Sequence, residues 1–129
     1  MSNRLLPDDS GAACVRLATY ADEDEIMRIC RMMWAENGQM PMCERKVREM
    51  LHEAFSSKGG IIGVIGAPGK IEACIFLRIG QIWYSDEFNL SEYMSFVLPA
   101  HRKSRNALNL VEFAKKCAYD LGLKLFITI

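Results

Sequence analysis

The sequence predicts one α/β domain in which a mixed β-sheet is flanked by helices. Its length of 129 residues suits a single hydrophobic core. Half of the residues are hydrophobic and a quarter are charged, which is typical of globular proteins and not of disordered ones. Segments with strand periodicity alternate with segments with helical periodicity in the order β-α-α-β-β-β-α-β. We therefore expect a flexible tail over residues 1–11 and one domain over residues 12–129.

The first half of the domain should hold a strand and two helices. Residues 14–19 alternate apolar and polar side chains, which predicts the first strand. The first helix has Asp22 or Asp24 as its expected N-cap and ends at Gly38. A second helix begins at about Glu44 and ends before a pair of glycines. Its apolar stripe consists of Val47, Met50, Leu51, Ala54 and Phe55.

The second half should hold a hairpin, a further strand and a strand–helix–strand unit. Its elements are expected at residues 61–67 (strand), 71–85 (strand), 90–98 (strand), 105–121 (helix) and 123–129 (strand). Pro68-Gly69-Lys70 predicts the tight turn of the hairpin, and Gly122 predicts the end of the third helix. The last strand–helix–strand unit should be a parallel crossover connection.

Charge and cysteine usage restrict the classes of function. With 16 basic and 16 acidic residues the net charge is zero, which argues against general binding to nucleic acids or membrane surfaces. The N-terminus lacks the apolar stretch of a signal peptide, and five cysteines without a C-x-x-C pair suit the reducing cytoplasm. Cys14, Cys74 and Cys117 have apolar neighbours and are expected to be buried. Two isolated histidines predict no metal site.

A cationic turn before the third helix is the most informative stretch. Residues 95–107 read SFVLPAHRKSRNA, so that a strand ends at a proline and a basic turn leads into a helix N-terminus. Helix N-termini present unpaired N–H groups and bind anions, whereas exposed cations there are mildly unfavourable. The turn is either a site for an anion such as a phosphate or a solvated basic turn, and charge placement leaves both alternatives open.

The same stretch resembles a known family. Val97-x-Pro99 followed by Arg102-x-x-Arg105-x-Ala107 is similar to the acyl-coenzyme-A signature of GNAT-type N-acetyltransferases, and the resemblance extends from about residue 15 to residue 129. It implies acetyl-CoA as co-substrate, with the pantetheine arm paired to backbone groups of the strand like an added strand. The cofactor-binding residues implied in this way are Phe96, Val97, Leu98, Arg102, Lys103, Ser104, Arg105, Asn106 and Ala107. The side chains of Arg102 and Lys103 would reach the phosphates, and backbone amides of the turn would hold the diphosphate.

The sequence departs from the family pattern in two places. Arg105 stands where the family usually has a glycine, and it can serve if its φ is helical and its side chain points outward. The family continues after the fifth strand with a helix and two strands, and that helix often carries a tyrosine that protonates the departing thiolate. The given sequence stops at Ile129. A longer natural chain, completion by a partner chain, and binding without catalysis all stay open.

The implied reaction is direct attack of an amine on the thioester. An alkylamine has a pKa of about 10.4 and must lose a proton first. Glu92 is the candidate base, directly or through a water; the alternative is an ordinary solvated strand carboxylate. Strand parity groups Glu92 with Met94 and Phe96, unless a bulge shifts the register. A strand N–H near Val97 would polarise the thioester oxygen.

Two functions therefore remain as hypotheses. The first is an acetyl-CoA-dependent N-acyltransferase that acts on a small-molecule or peptide amine. In the family, the end of the first helix and the next loop line the acceptor groove. This region is Met-rich here, and core packing beside a mobile loop stays open as the alternative; its residues are Met32, Met33, Trp34, Met40 and Met42. The second is a non-catalytic binding or assembly protein of the same fold. An uncovered fifth strand invites pairing with another chain, so we expect a homo-oligomer or another protein partner.

Overall fold

The computed structural model describes residues 9–127, and the expected tail therefore lies mostly outside the described residues. The helices are α1 (Asp9–Ala12), α2 (Glu23–Asn37), α3 (Glu44–Phe55) and α4 (Asn106–Leu121). The strands are β1 (Arg16–Leu17), β2 (Gly60–Ile65), β3 (Ala73–Gln81), β4 (Phe88–Val97) and β5 (Lys124–Phe126). They form one mixed sheet in the order β1-β2-β3-β4-β5. The predicted α/β class and the order of the elements from β1 to β5 are confirmed.

The two faces of the sheet bury separate hydrophobic clusters. On one face α2 and α3 pack Ile26, Ile29 and Leu51 against Phe76 of β3 and Phe96 of β4. On the other face α4 packs Leu110 and Ala114 against Ile75, Leu77 and Leu90. Helices that cover both faces of a central sheet are the usual way in which an α/β domain removes its apolar surfaces from water.

The N-terminal part differs from the prediction in two ways. Residues 9–11 are helical and do not belong to a free tail, since Gly11 is buried and a Cβ added to it would lie 3.2 Å from Glu112 of α4. β1 is shorter than predicted, because only Arg16 and Leu17 pair with Val64 and Gly63 of β2.

The start of α2 depends on a buried carboxylate. Asp22 does not cap α2 through its side chain; its oxygens instead accept the Thr19 N–H at 2.8 Å and two Arg16 N–H groups at 2.9 Å. The Arg16 hydrogen bonds are the main cause that lowers the pKa of Asp22. Gly122 ends α4 as predicted, with the left-handed φ of 68° that favours glycine at this position.

The three cysteines that were expected to be buried differ in how much of their surface is exposed. Cys74 is buried as predicted, but Cys14 is exposed because residues 13 and 14 lie outside both hydrophobic clusters. Cys117 is half-buried on α4, and burial raises the pKa of its thiol to about 11. Its thiol is therefore protonated at neutral pH, which suits packing and not nucleophilic attack.

The part of the chain that the structure describes contains neither a membrane-spanning helix nor a cluster of metal-ligating side chains. Across residues 9–127, no helix has both the length and the hydropathy needed to cross a bilayer. In the same part of the chain, no three His, Cys, Asp or Glu side chains come close enough together to hold a metal ion.

Candidate active site

A β-bulge in β4 redirects Glu92. Phe76 of β3 lies opposite Met94, but the next β3 residue, Leu77, lies opposite Glu92, so that Tyr93 is an extra residue in β4. The simple parity that groups Glu92 with Met94 and Phe96 is therefore wrong, and the alternative of a bulge is confirmed. Since Leu77 belongs to the α4 cluster, Glu92 faces the α4 side of the sheet, where it is half-buried.

β4 and β5 separate just before the bulge. β5 runs parallel to β4, and its pairing covers only Asn89, Leu90 and Ser91. In the described residues, the outer edge of β4 from Glu92 to Val97 therefore has no strand beside it. Such an edge presents N–H and C=O groups to which an extended ligand can bind.

The register with β3 decides which backbone groups face this open edge. The Leu98 N–H donates to the Glu72 carbonyl at 2.9 Å, so Leu98 faces β3. Because consecutive residues of a strand alternate, Phe96 also faces β3, whereas Val97 and Ser95 face the open edge. In this structure the backbone groups of Phe96 and Leu98 are thus turned toward β3, and those of Val97 and Ser95 toward the open edge. The predicted roles of Phe96, Val97 and Leu98 in ligand binding stay predictions, and the position of Ser95 adds a fourth candidate.

A groove follows the open edge on the α4 side. It has a volume of about 160 Å³ and runs from the bulge to the first turn of α4. Its walls include Glu92, Ser95, Val97, Ala107, Leu110 and Ile127. A larger depression of about 270 Å³ lies beside β2 and α3, but no ionisable side chain lines it. The groove beside β4 is therefore where a carboxylate and open backbone groups occur together.

The turn before α4 offers hydrogen-bond donors next to Ala107, which lies at the far end of the groove. Within residues 9–127, the N–H groups of Lys103, Arg105 and Ala107 have no hydrogen-bond acceptor, and neither has that of Leu108. Arg105 has a φ of −86° and a ψ of 10°, a conformation that does not require glycine, and its side chain is exposed. The missing family glycine therefore does not prevent this backbone from forming.

Other groups of the turn are occupied by the protein itself. The Ser104 N–H donates to the His101 carbonyl at 3.2 Å, and the Asn106 N–H donates to the Ser104 hydroxyl at 3.1 Å. Asn106 is buried, and its side-chain amide donates to Glu72 at 3.0 Å. In this structure the amides of Ser104 and Asn106 are thus engaged within the turn, and Asn106 also fastens the turn to the segment before β3; their roles in ligand binding stay predictions.

Arg102 is held by three contacts within the protein. Its Nε donates to the Val97 carbonyl at 2.8 Å, and its Nη2 lies 3.0 Å from each carboxylate oxygen of Glu36 in α2. The guanidinium carbon also lies 5.0 Å from the centre of the Phe96 ring. The Arg102 N–H is weakly engaged, at 3.4 Å from the Pro99 carbonyl. Arg102 thus joins the turn to β4 and α2 and is not directed toward the groove, whereas Lys103 is exposed.

The segment after α2 lies next to this contact. Glu36 is in the last turn of α2, and Gly38, which follows α2, donates its N–H to the Trp34 carbonyl at 2.7 Å. The Trp34 indole N–H donates to the Met40 carbonyl at 2.7 Å. Trp34 and Met40 expose 41% and 75% of their surfaces, so they are available to a ligand beside α2.

The chain resembles solved acetyltransferase structures in its fold. No protein-family model matches it, and no curated protein matches it in sequence. An integron cassette protein from the mobile metagenome of Cole Harbour Salt Marsh is 18% identical over 90% of this chain and 76% of that chain, with a TM-score of 0.76. A predicted acetyltransferase of Clostridium acetobutylicum, solved with acetyl-CoA, is 11% identical over 89% of this chain and 79% of that chain, with a TM-score of 0.74.

A third structure names the family. A GNAT family acetyltransferase of Staphylococcus aureus is 13% identical over 88% of this chain and 82% of that chain, with a TM-score of 0.65. These likenesses agree with the mixed α/β class and with the order of the strands and helices. The chain has the fold of the GNAT-type N-acetyltransferases.

Proposed function

We propose that this protein is an N-acyltransferase that transfers the acetyl group of acetyl-CoA to an amine. One observation carries the proposal: a single groove connects Glu92 at the bulge with the first turn of α4, where the N–H groups of Ala107 and Leu108 have no acceptor within residues 9–127. An acyl thioester with a diphosphate at its other end matches this arrangement of an open strand edge and anion-binding donors.

Each part of the groove has its own task in this proposal. The backbone groups of Ser95 and Val97 bind the amides of the pantetheine arm as a neighbouring strand would. The N–H groups of Lys103, Arg105 and Ala107 donate to the diphosphate, and the exposed Lys103 side chain adds positive charge. The apolar walls from Ala107 to Leu110 exclude water from the arm.

The reaction is direct transfer at the bulge. Acetyl-CoA supplies the acyl thioester; the amine nitrogen forms a bond to the carbonyl carbon while the bond from that carbon to sulfur breaks. Coenzyme A leaves as its thiolate, which takes a proton from water. Glu92 takes the proton that the amine must lose, directly or through a water. An N–H at the open edge near Val97 donates to the carbonyl oxygen as negative charge develops there.

The test combines binding and turnover. Coenzyme A is titrated into the protein by calorimetry, and acetyl-CoA is then mixed with the protein and a panel of amines while free thiol is measured. The panel includes a polyamine, an aminoglycoside and a lysine peptide. Saturable binding together with amine-dependent release of thiol is expected. The absence of coenzyme A binding would contradict the proposal.

The alternative of a non-catalytic assembly protein gives a different result in the same test. In the described residues β5 is one of the two edge strands of the sheet, with 44% of Phe126 exposed. Coenzyme A binding without thiol release for any amine, together with a mass above that of the monomer, would favour this alternative. A strictly monomeric mass at micromolar concentration would count against self-association through β5. A cytoplasmic location stays a prediction of the sequence.

A further inference from the structure

We infer that Glu36 is a positioning residue for the proposed cofactor site, which it controls by holding Arg102 away from the diphosphate. The inference rests on the proposed function and concerns which partner Arg102 has. Glu36 itself is on α2 and does not line the groove beside β4.

The placement of the two charges makes their pairing favourable. Glu36 lies in the last turn of α2, where the helix dipole disfavours a carboxylate, and that turn contains no basic residue. Arg102 lies just before α4, where the dipole disfavours a cation. The ion pair offsets both unfavourable dipole interactions, since the Arg102 Nη2 atom lies 3.0 Å from each Glu36 carboxylate oxygen.

The same contact occupies a group that the proposed ligand needs. The Val97 carbonyl faces the open edge of β4, and in this structure it accepts the Arg102 Nε–H at 2.8 Å. A pantetheine arm that pairs with Val97 has to displace Arg102 from this carbonyl. Once displaced, the guanidinium can exchange the Glu36 carboxylate for the diphosphate, a change between two anionic partners of the same cation.

This exchange connects the cofactor side with the segment after α2. Glu36 lies directly before the segment 37–43. This segment is bound back to α2, because the Trp34 indole N–H donates to the Met40 carbonyl. Release of Glu36 would therefore change the last turn of α2, in which Trp34 also lies. Binding of coenzyme A should change the surroundings of Trp34.

The affinity for coenzyme A tests this inference. Both side chains are more than two-fifths exposed, so the ion pair is weak and Glu36 competes only weakly with the diphosphate for the Arg102 guanidinium. Glu36→Gln should tighten coenzyme A binding about two- to fivefold. Arg102→Gln should weaken it by about tenfold. In the Arg102→Gln background, Glu36→Gln should have no further effect, because Glu36 acts through Arg102.

Glu49→Gln is the matched control. It removes one carboxylate from an exposed arginine pair on α3, Arg45 with Glu49, and should leave the affinity unchanged. The second measurement uses Trp83→Phe, which leaves Trp34 as the single tryptophan of the protein. Its fluorescence should change on addition of coenzyme A, and this change should be smaller when Glu36→Gln is also present.

The outcomes separate the two proposals. Normal coenzyme A binding that Glu36→Gln does not alter would overturn the role of Glu36 and leave the proposed function standing. The same holds if Glu36→Gln tightens binding equally with and without Arg102. If neither the natural protein nor any variant binds coenzyme A, the proposed function fails as well.

Discussion

Glu92 lies opposite Leu77 across the β3–β4 ladder, so its side chain is on the α4 side of the sheet. Regular alternation would have placed it on the other side, with Met94 and Phe96. The extra residue, Tyr93, shifts the register by one, and a shift of one residue moves a side chain to the opposite face. The bulge therefore brings the carboxylate into the groove at the point where β5 leaves β4.

The first prediction concerns the role of this carboxylate. Glu92→Gln should lower the turnover of acetyl-CoA and amine about 100-fold or more, because general bases contribute rate factors of that size. The variant should still bind coenzyme A, since its backbone donors are unchanged. Steady-state rates and calorimetry measure the two effects. Glu49→Gln serves as the control on turnover, and an undiminished rate for Glu92→Gln would remove Glu92 from the mechanism.

A second prediction concerns stability and pH. Asp22 is 1% exposed and bound by Arg16, so Arg16→Met leaves a buried carboxylate with fewer donors. We expect a loss of about 2–3 kcal/mol in the free energy of unfolding, below the full value for a buried pair because Arg16 is one-third exposed. Arg45→Met, which breaks an exposed pair, should cost less than about 1 kcal/mol.

The pH dependence of this loss has a definite sign. The pKa of Asp22 is lowered in the folded protein, chiefly by the Arg16 hydrogen bonds. Its contribution is therefore present above the unfolded pKa of about 3.9 and is lost as the pH falls through the lower folded value. Urea unfolding at a series of pH values should show the natural protein and Arg16→Met converging below about pH 4. A difference that stays constant down to acid pH would contradict this assignment.

A third prediction tests the packing of β2 against α4. A Cβ added to Gly63 would lie 2.6 Å from a ring carbon of Phe113 and 2.7 Å from a methyl group of Val15. Gly63→Ala should therefore lower the free energy of unfolding by about 1–3 kcal/mol, as overpacked cores do. Gly80→Ala is the control, because no atom lies within 4 Å of its added Cβ. Equal thermal midpoints for the two variants would show that β2 and α4 are packed differently.

Local patterns predicted most of the fold, since they depend on short-range spacing. The apolar stripe of α3, the Pro-Gly hairpin turn and the stop at Gly122 are all visible within a few residues of the chain. The short α1 was missed because it depends on a distant contact, Gly11 against α4. Tertiary packing of this kind has no local signal.

The candidate site was predicted only in outline. The basic turn and its helix were visible in the sequence, but the orientation of Val97 and Phe96 depends on pairing with β3. The bulge at Tyr93 depends on the same pairing. Arg102 and Glu36 are separated by 66 residues, so no spacing rule predicts that they meet. These features follow from how the elements assemble.

The central claim is that the groove beside β4 binds coenzyme A along its length. The most direct test is amide NMR of the ¹⁵N-labelled protein during a coenzyme A titration. We expect saturable shifts at Ser95 and Val97 on the strand edge and at Lys103, Arg105 and Ala107 in the turn. No shifts, or shifts confined to the apolar depression around Gly60, would contradict the account.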